Sequence, residues 1–253
     1  MPAASINNVI GERFIELLSV DSTNNYAMQH VQNGSAKGGE VYFAYEQTAG
    51  RGQFNRQWFS TKGENIMLSA VLCTSAFAIN KQFILNMVTA LSIQQLFNKY
   101  STENTKIKWP NDIYCRDRKA AGILIENIVR GKIWQFAIIG IGININQTKF
   151  PDVLHKPVSL KQITGKHHNV IELAKELCSL LNKNLQQLFS NNEAVVLKNY
   201  NEELYRLNEL IQFKYNSENF IGVVNGVNNL GQLIIQIDKE EKAFATGSIE
   251  WMQ

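Results

Sequence analysis

Residues 105–146 read TKIKWPNDIYCRDRKAAGILIENIVRGKIWQFAIIGIGININ, and the fold turns on them. Three stretches within them, 105–109, 121–128 and 132–143, are short and largely apolar, as strands are. The first ends at Pro110, which places Asn111 and Asp112 at its tip. Toward the N-terminus, residues 14–20 and 40–45 have the same character, and between them Ser22 and Thr23 can cap a helix running through Tyr26, Ala27 and Val31. Residues 66–73 read as a buried strand, after which Asn80 offers an N-cap to a helix with Phe83, Met87, Val88 and Leu91 on one face. Toward the C-terminus, Asn169 caps a second helix whose Ala174, Leu177, Leu181, Leu185 and Leu188 keep helical spacing. The pattern predicts an α+β fold with one large sheet covered by helices.

Near residue 205 the pattern changes. Residues 211–251 hold only short strands, clearest at 222–227 and 233–237, split by turn chemistry at 228–231 and 238–242. They predict a small β-barrel, giving a main unit over 1–204 and a C-terminal unit over 205–253. No Pro- or Gly-rich linker separates the two, so they are expected to pack together.

Of the 253 residues, 45% are hydrophobic and 19% charged, close to an average globular protein, which excludes disordered and collagen-like classes. Lys and Arg number 25 against 22 Asp and Glu, and the resulting +3 is too small for a dedicated nucleic-acid or membrane-surface protein. The most apolar run, 66–79, is broken by Ser69, Thr74 and Ser75 and falls short of the roughly 18 residues that span a bilayer. Residues 1–12 carry no export signal. Cys73, Cys115 and Cys178 lack metal-ligand spacing and read as thiols of a reducing compartment. A cytoplasmic protein is expected, with no DNA and no membrane among its partners.

Four segments can carry chemistry. In Glu46–Trp58, Gly50 and Gly52 flank Arg51, so backbone N–H groups can approach an anion while Arg51 and Arg56 supply bidentate donors; a basic surface loop is the alternative. In Lys106–Tyr114, an Asn–Asp pair at a strand end suits a hydrated Mg²⁺ or, equally, an ordinary turn. Lys119 enters the small-residue strand Ala120-Ala121-Gly122, where its ammonium either meets an anionic group or reaches solvent. Gly140 and Gly142 in a buried strand mark close approach by a ligand or another backbone, or else a bulge or tight packing against a neighbouring element.

Taken in order, Asp21-Ser22-Thr23-Asn24, Gly-Arg-Gly-x-x-x-Arg-x-Trp, Lys-Trp-Pro-Asn-Asp, Arg-Lys-x-x-Gly-Ile-Leu-x-Glu and Gly-x-Gly-Ile-Asn-x-Asn resemble biotin protein ligases. The resemblance is strong over residues 13–150 and weaker, but in the expected place, over the C-terminal unit. It implies a catalytic domain like that of class II aminoacyl-tRNA synthetases, with a large mixed sheet and a C-terminal SH3-like β-barrel. It implies an enzyme that activates biotin with MgATP to biotinyl-5′-AMP, then transfers biotin to one lysine of a biotin carboxyl carrier domain.

By matching motif, Ser22, Thr23, Asn24 and Gln47 would line the biotin site. Arg51, Gly52 and Gln53 would close over biotin and the acyl phosphate, and Lys119 would meet the biotin carboxylate or the phosphate; Arg51 and Lys119 are the expected catalytic pair. Gly50, Arg56, Trp58, Asn111, Asp112 and Asn144 would face ATP or the adenylate, with Asp112 serving Mg²⁺. The resemblance leaves homodimerisation through a sheet edge open.

This chain departs from the family at two loop positions, having Gln53 where many members have arginine and Asn55 where they have glycine. Gln53 donates a hydrogen bond but cannot neutralise charge, which shifts that role toward Arg51, Arg56 and Lys119. Phe54 makes the loop less basic still. Gly247–Trp251 lacks an arginine and is left outside the expected site. A biotin-responsive repressor is disfavoured, because only about twenty residues precede Asp21, too few for a winged helix-turn-helix. A lipoate ligase or octanoyl transferase shares the fold, but the Gly-Arg-Gly loop, Lys-Trp-Pro-Asn-Asp and the C-terminal unit favour biotin. A binding module without chemistry is disfavoured by the intact phosphate-facing residues.

Overall fold

A computed structural model describes residues 9–152, 156–190 and 192–252. The expected absence of an export signal falls mainly on residues 1–8, outside the described residues.

Seven strands form the main sheet: β1 (Arg13–Leu17), β2 (Glu40–Ala44), β3 (Ile66–Cys73), β4 (Thr105–Lys108), β5 (Asp112–Cys115), β6 (Arg118–Arg130) and β7 (Ile133–Ile143). Their order is β1-β2-β3-β7-β6-β5-β4. Only β1 and β2 run parallel, so the sheet is mixed, as expected. Helix α1 (Thr23–Gln32) lies on one face, while α2 (Gln82–Tyr100) and α4 (Val170–Phe189) pack on the other; α3 (Leu160–Thr164) and α5 (Glu193–Glu202) complete the helical set among the described residues.

The alternation of strand side chains sorts two cores. Ile66, Leu68, Ala70 and Leu72 of β3 join Ala137, Ile139, Ile141 and Ile143 of β7 against α2 and α4. Val71 and Ile138 point the other way, onto Ala27 and Val31 of α1. A strand covered on both faces reads as the near-continuous apolar run seen at β3.

Helix α4 follows its predicted pattern: Asn169 accepts from the amides of Ile171 and Glu172, and Ala174, Leu177, Leu181, Leu185 and Leu188 are buried. Helix α2 departs from its own. Ile79–Lys81 form a 3₁₀ turn, so the helix starts at Gln82 and Asn80 does not cap it. Ser22 holds the N-cap position of α1, but its side chain makes no capping bond.

The C-terminal segment forms a second, antiparallel sheet from β8 (Leu210–Tyr215), β9 (Glu218–Val227), β10 (Leu233–Ile237), β11 (Glu240–Phe244) and β12 (Ile249–Trp251), in the order β11-β10-β9-β8-β12. Edge strands β11 and β12 do not pair with each other, so the expected barrel is not closed among the described residues. The turn expected over 238–242 is tighter. Ile237 pairs with Glu240, leaving a two-residue hairpin at Asp238 and Lys239, with Asp238 left-handed at φ 57°.

The two sheets are tied together. Trp109 Nε1 donates to Gly231 O at 2.9 Å, and the Asn201 side chain exchanges two bonds with the backbone of Val227.

Candidate active site

The site lies on the α1 face of the main sheet, along a row of directly paired residues. Lys108 of β4 pairs with Asp112 of β5, Asp112 with Gly122 of β6, and Gly122 with Gly142 of β7. Paired residues project from the same face, so four strands bring together groups up to 34 positions apart in the chain. The adjacent row pairs Ser69 of β3 with Gly140, and Gly140 with Leu124.

At the β3–β7 end, the start of α1 meets these rows. Ser22, Thr23 and Asn24 are all buried. Thr23 N donates to Gln47 Oε1 at 2.7 Å, and Ser69 Oγ lies 2.6 Å from Asn24 Oδ1. Asn24 Nδ2 donates to Glu126 Oε2 at 2.8 Å. A Cβ at Gly140 would fall 2.3 Å from Asn24 Oδ1 and 2.9 Å from Leu124 O, so a side chain there would force a shift.

The Gly-Arg-Gly segment is a tight hairpin. Arg51 bridges to Gln57, Gly52 N donates to Arg56 O at 2.7 Å, and Trp58 N donates to Gly50 O at 2.9 Å. Its tip, Phe54 and Asn55, is left-handed at φ 55° and 59°. Asparagine tolerates that conformation better than most residues, so Asn55 suits the tip. Arg51 reaches across the site to Glu126 at 3.0 Å and to Asn25 Oδ1 at 2.7 Å. Trp58 lies flat on the glycine floor: a Cβ on Gly142 would meet its ring at 2.5 Å, and one on Gly122 at 3.3 Å. At these glycines the structure therefore shows the alternative reading, tight packing by side chains of neighbouring elements. Trp58 Nε1 and Gln53 Oε1 are buried with no hydrogen-bond partner among the described residues.

In the centre, Lys119 Nζ sits 2.6 Å from Asp112 Oδ1 and 5.9 Å from the Trp58 ring centroid. Asn111 and Asn144 brace this part rather than face it. Asn111 Nδ2 donates to Ile123 O at 2.8 Å, and Asn144 Nδ2 donates to Lys119 O at 3.3 Å. Arg56 is exposed at the rim. Asp112 is the one carboxylate beside Lys119, and no group of three or more His, Cys, Asp or Glu among the described residues could hold a metal. That donor set suits a magnesium ion carried on nucleotide phosphates better than a resident metal.

Three residues of this arrangement were not singled out from the sequence. Glu126 shares the face of Gly122 and Leu124 by strand alternation and joins Arg51 to Asn24. Ser69 stands out only as a hydroxyl in a buried strand. Lys108 shows its position only through the β4–β5 register. Gly247–Trp251, left outside the expected site, borders it: the Phe54 ring lies against Gly247, and Trp251 lies 5.6 Å from Lys108 Nζ.

The chain is similar to known proteins over most of its length. The model of the Biotin/lipoate A/B protein ligase family matches residues 17–144. The chain is 29% identical over 236 residues to the bifunctional ligase/repressor BirA of Escherichia coli (strain K12), covering 91% of this chain and 71% of that protein. It is 28% identical over 226 residues to the biotin--[acetyl-CoA-carboxylase] ligase of Paracoccus denitrificans, covering 87% and 92%. The fold matches biotin protein ligase from Aquifex aeolicus in complex with biotin and ATP, with a TM-score of 0.81 at 24% identity over 96% of this chain and 99% of that one. With more than half its length matched by the family model and the same sheet beneath its glycine rows, this chain belongs to the biotin/lipoate A/B protein ligase family.

Proposed function

We propose that this chain is a biotin protein ligase that forms biotinyl-5′-AMP from biotin and MgATP and passes biotin to one lysine of a biotin carboxyl carrier domain. The observation that carries this reading is the paired row Gly142–Gly122–Asp112, with Trp58 on its glycines and Lys119 at its centre. Glycines give a flat floor that a ring system can lie on, while the cations beside it suit two anions that must approach each other.

In the first step a biotin carboxylate oxygen bonds to the α-phosphorus, and the bond from that phosphorus to the bridging oxygen breaks, releasing pyrophosphate. Lys119 and Arg51 bear the negative charge that accumulates; Asp112 is the residue that would hold a magnesium ion on the protein side, and that ion would supply further positive charge. In the second step the carrier lysine amine attacks the acyl carbonyl, AMP leaves, and the amine nitrogen loses a proton as the amide forms. The polar ring of biotin is assigned to Ser22, Thr23, Asn24 and Gln47. The hairpin of Gly50, Arg51, Gly52 and Gln53 is assigned to shielding the adenylate from water, while Arg56, Trp58, Asn111 and Asn144 frame the nucleotide side.

Residues 1–204 serve as the catalytic unit and 205–253 as an appended one. No helix among the described residues is long and apolar enough to cross a membrane. Incubation with biotin, MgATP and a carrier domain, followed by streptavidin detection, tests the reading. Labelling that requires ATP supports it; no labelling, or labelling without ATP, removes it.

A further inference from the structure

We propose that Phe54 is a positioning residue: its ring, seated on Gly247, pins the tip of the hairpin over residues 50–58 to the C-terminal sheet, and this contact sets how long the acyl-adenylate is retained. The inference rests on the biotin ligase reading and extends it to the hold on the intermediate.

Backbone conformation is the first support. Phe54 stands in the left-handed region at φ 55° and ψ 41°, within the 3₁₀ turn Gln53–Asn55. Bulky residues avoid that region, and one held there needs an offsetting contact. The Phe54 side is 63% exposed, so burial in a core does not supply it. The ring instead meets a second left-handed tip, Gly247 at φ 81°, in the turn between β11 and β12. A Cβ on Gly247 would fall 2.8 Å from Phe54 Cε1 and Cζ, and its three nearest atoms would all belong to that ring. Glycine at 247 permits both the turn and the close seat of the ring.

The seat itself is fixed. Ser248 N and Ser248 Oγ both donate to Ala245 O, at 3.1 and 2.7 Å, which closes the turn. Beyond it β12 pairs with β8, Ile249 opposite Tyr215 and Trp251 opposite Phe213. The C-terminal sheet is bonded in turn to the main sheet through Trp109 and Gly231.

The other ties of the hairpin are the second support. The bonds from Gly52 N to Arg56 O and from Trp58 N to Gly50 O close the hairpin on itself without anchoring its tip. Arg51 and Glu126 span the site at 3.0 Å, but both side chains are partly exposed, and ion pairs open to water contribute little. Arg51 must also turn from Glu126 to bear substrate charge. The Phe54 contact needs no such change of partner, so it keeps the tip in place while Arg51 exchanges one anion for another.

The test uses the full-length protein, as wild type, F54A, F54Y, G247A and the F54A/G247A double variant. Hydrogen exchange of residues 50–58, followed by mass spectrometry without ligand, reports the contact itself. Release of biotinyl-AMP in a chase experiment reports its consequence. Loss of a partly exposed ring contact predicts that F54A speeds both by about fivefold. F54Y keeps the ring and stays near wild type, and the thermal midpoint of F54A is unchanged. G247A displaces the ring and speeds both processes, yet adds nothing in the F54A background. Wild-type exchange in F54A overturns the contact, as does a G247A effect that persists undiminished beside F54A. Faster exchange with unchanged biotinyl-AMP release overturns the positioning role. If exchange responds as predicted but wild type forms no biotinyl-AMP from biotin and MgATP, the ligase reading fails and the contact stands.

Discussion

Replacing Gly142 with alanine probes the glycine floor directly. The added Cβ would lie 2.5 Å from Cε2, 2.7 Å from Cζ2 and 2.9 Å from Cδ2 of Trp58. Carbon atoms rest at about 3.5–4.0 Å, so the indole must withdraw by about 1 Å or leave the floor. Strand β7 cannot yield instead, because it is paired along its length with β3 on one side and β6 on the other. Overpacking of this kind costs about 1–3 kcal/mol. If the clash is with Trp58 and nothing else, Gly142→Ala placed in a Trp58→Ala background should be close to neutral. The coupling energy in the double-mutant cycle should then be about 1–3 kcal/mol. Urea unfolding followed by circular dichroism measures all four proteins without relying on the tryptophan signal. Single-mutant effects that add to within about 0.5 kcal/mol would refute the packing of Trp58 on Gly142.

Three further predictions concern other parts of the molecule. Lys119→Ala removes the 2.6 Å partner of Asp112; it should cost at least ~2 kcal/mol of transition-state stabilisation, about 30-fold in kcat/KM for adenylation. A near-wild-type rate would remove Lys119 from the mechanism. Arg51→Gly cuts the hairpin's link to Glu126, so biotinyl-AMP should dissociate faster in a chase experiment, and an unchanged release rate would contradict the shielding role. His168 is held below the ordinary histidine pKa, chiefly by burial, with His167 and Lys166 adding to the effect. The unfolded chain therefore takes up this proton first as pH falls, and stability that is present near neutrality is lost below about pH 6.5. His168→Gln should flatten that part of the stability–pH curve, and an unchanged slope would show that other groups govern it.

The site was legible in the sequence where its parts are local. Lys119, Asp112, Arg51 and Trp58 each sit in a short motif whose residue types announce charge or a flat ring, and the structure brings them onto one face. What the motifs could not show is register. Lys108 and Asp112 face each other only because β4 and β5 form a hairpin around Pro110, and Glu126 meets Arg51 only because the separate Gly50–Trp58 hairpin reaches β6. Such pairings depend on contacts distant in sequence.

The C-terminal unit shows the same limit. Its turns are readable, but whether β11 and β12 meet depends on how far the sheet curls, which no turn encodes. At Asn80 a good capping residue was displaced by the 3₁₀ turn around it, and the helix began where packing of its nearly fully buried surface placed it.

Biotin-dependent exchange of labelled pyrophosphate into ATP tests the central claim most directly, because it reports acyl-adenylate formation without any acceptor protein. Exchange that needs biotin and magnesium, and that lipoate or octanoate cannot support, is the predicted result. Exchange driven by lipoate or octanoate in place of biotin, or none with biotin present, would contradict the account.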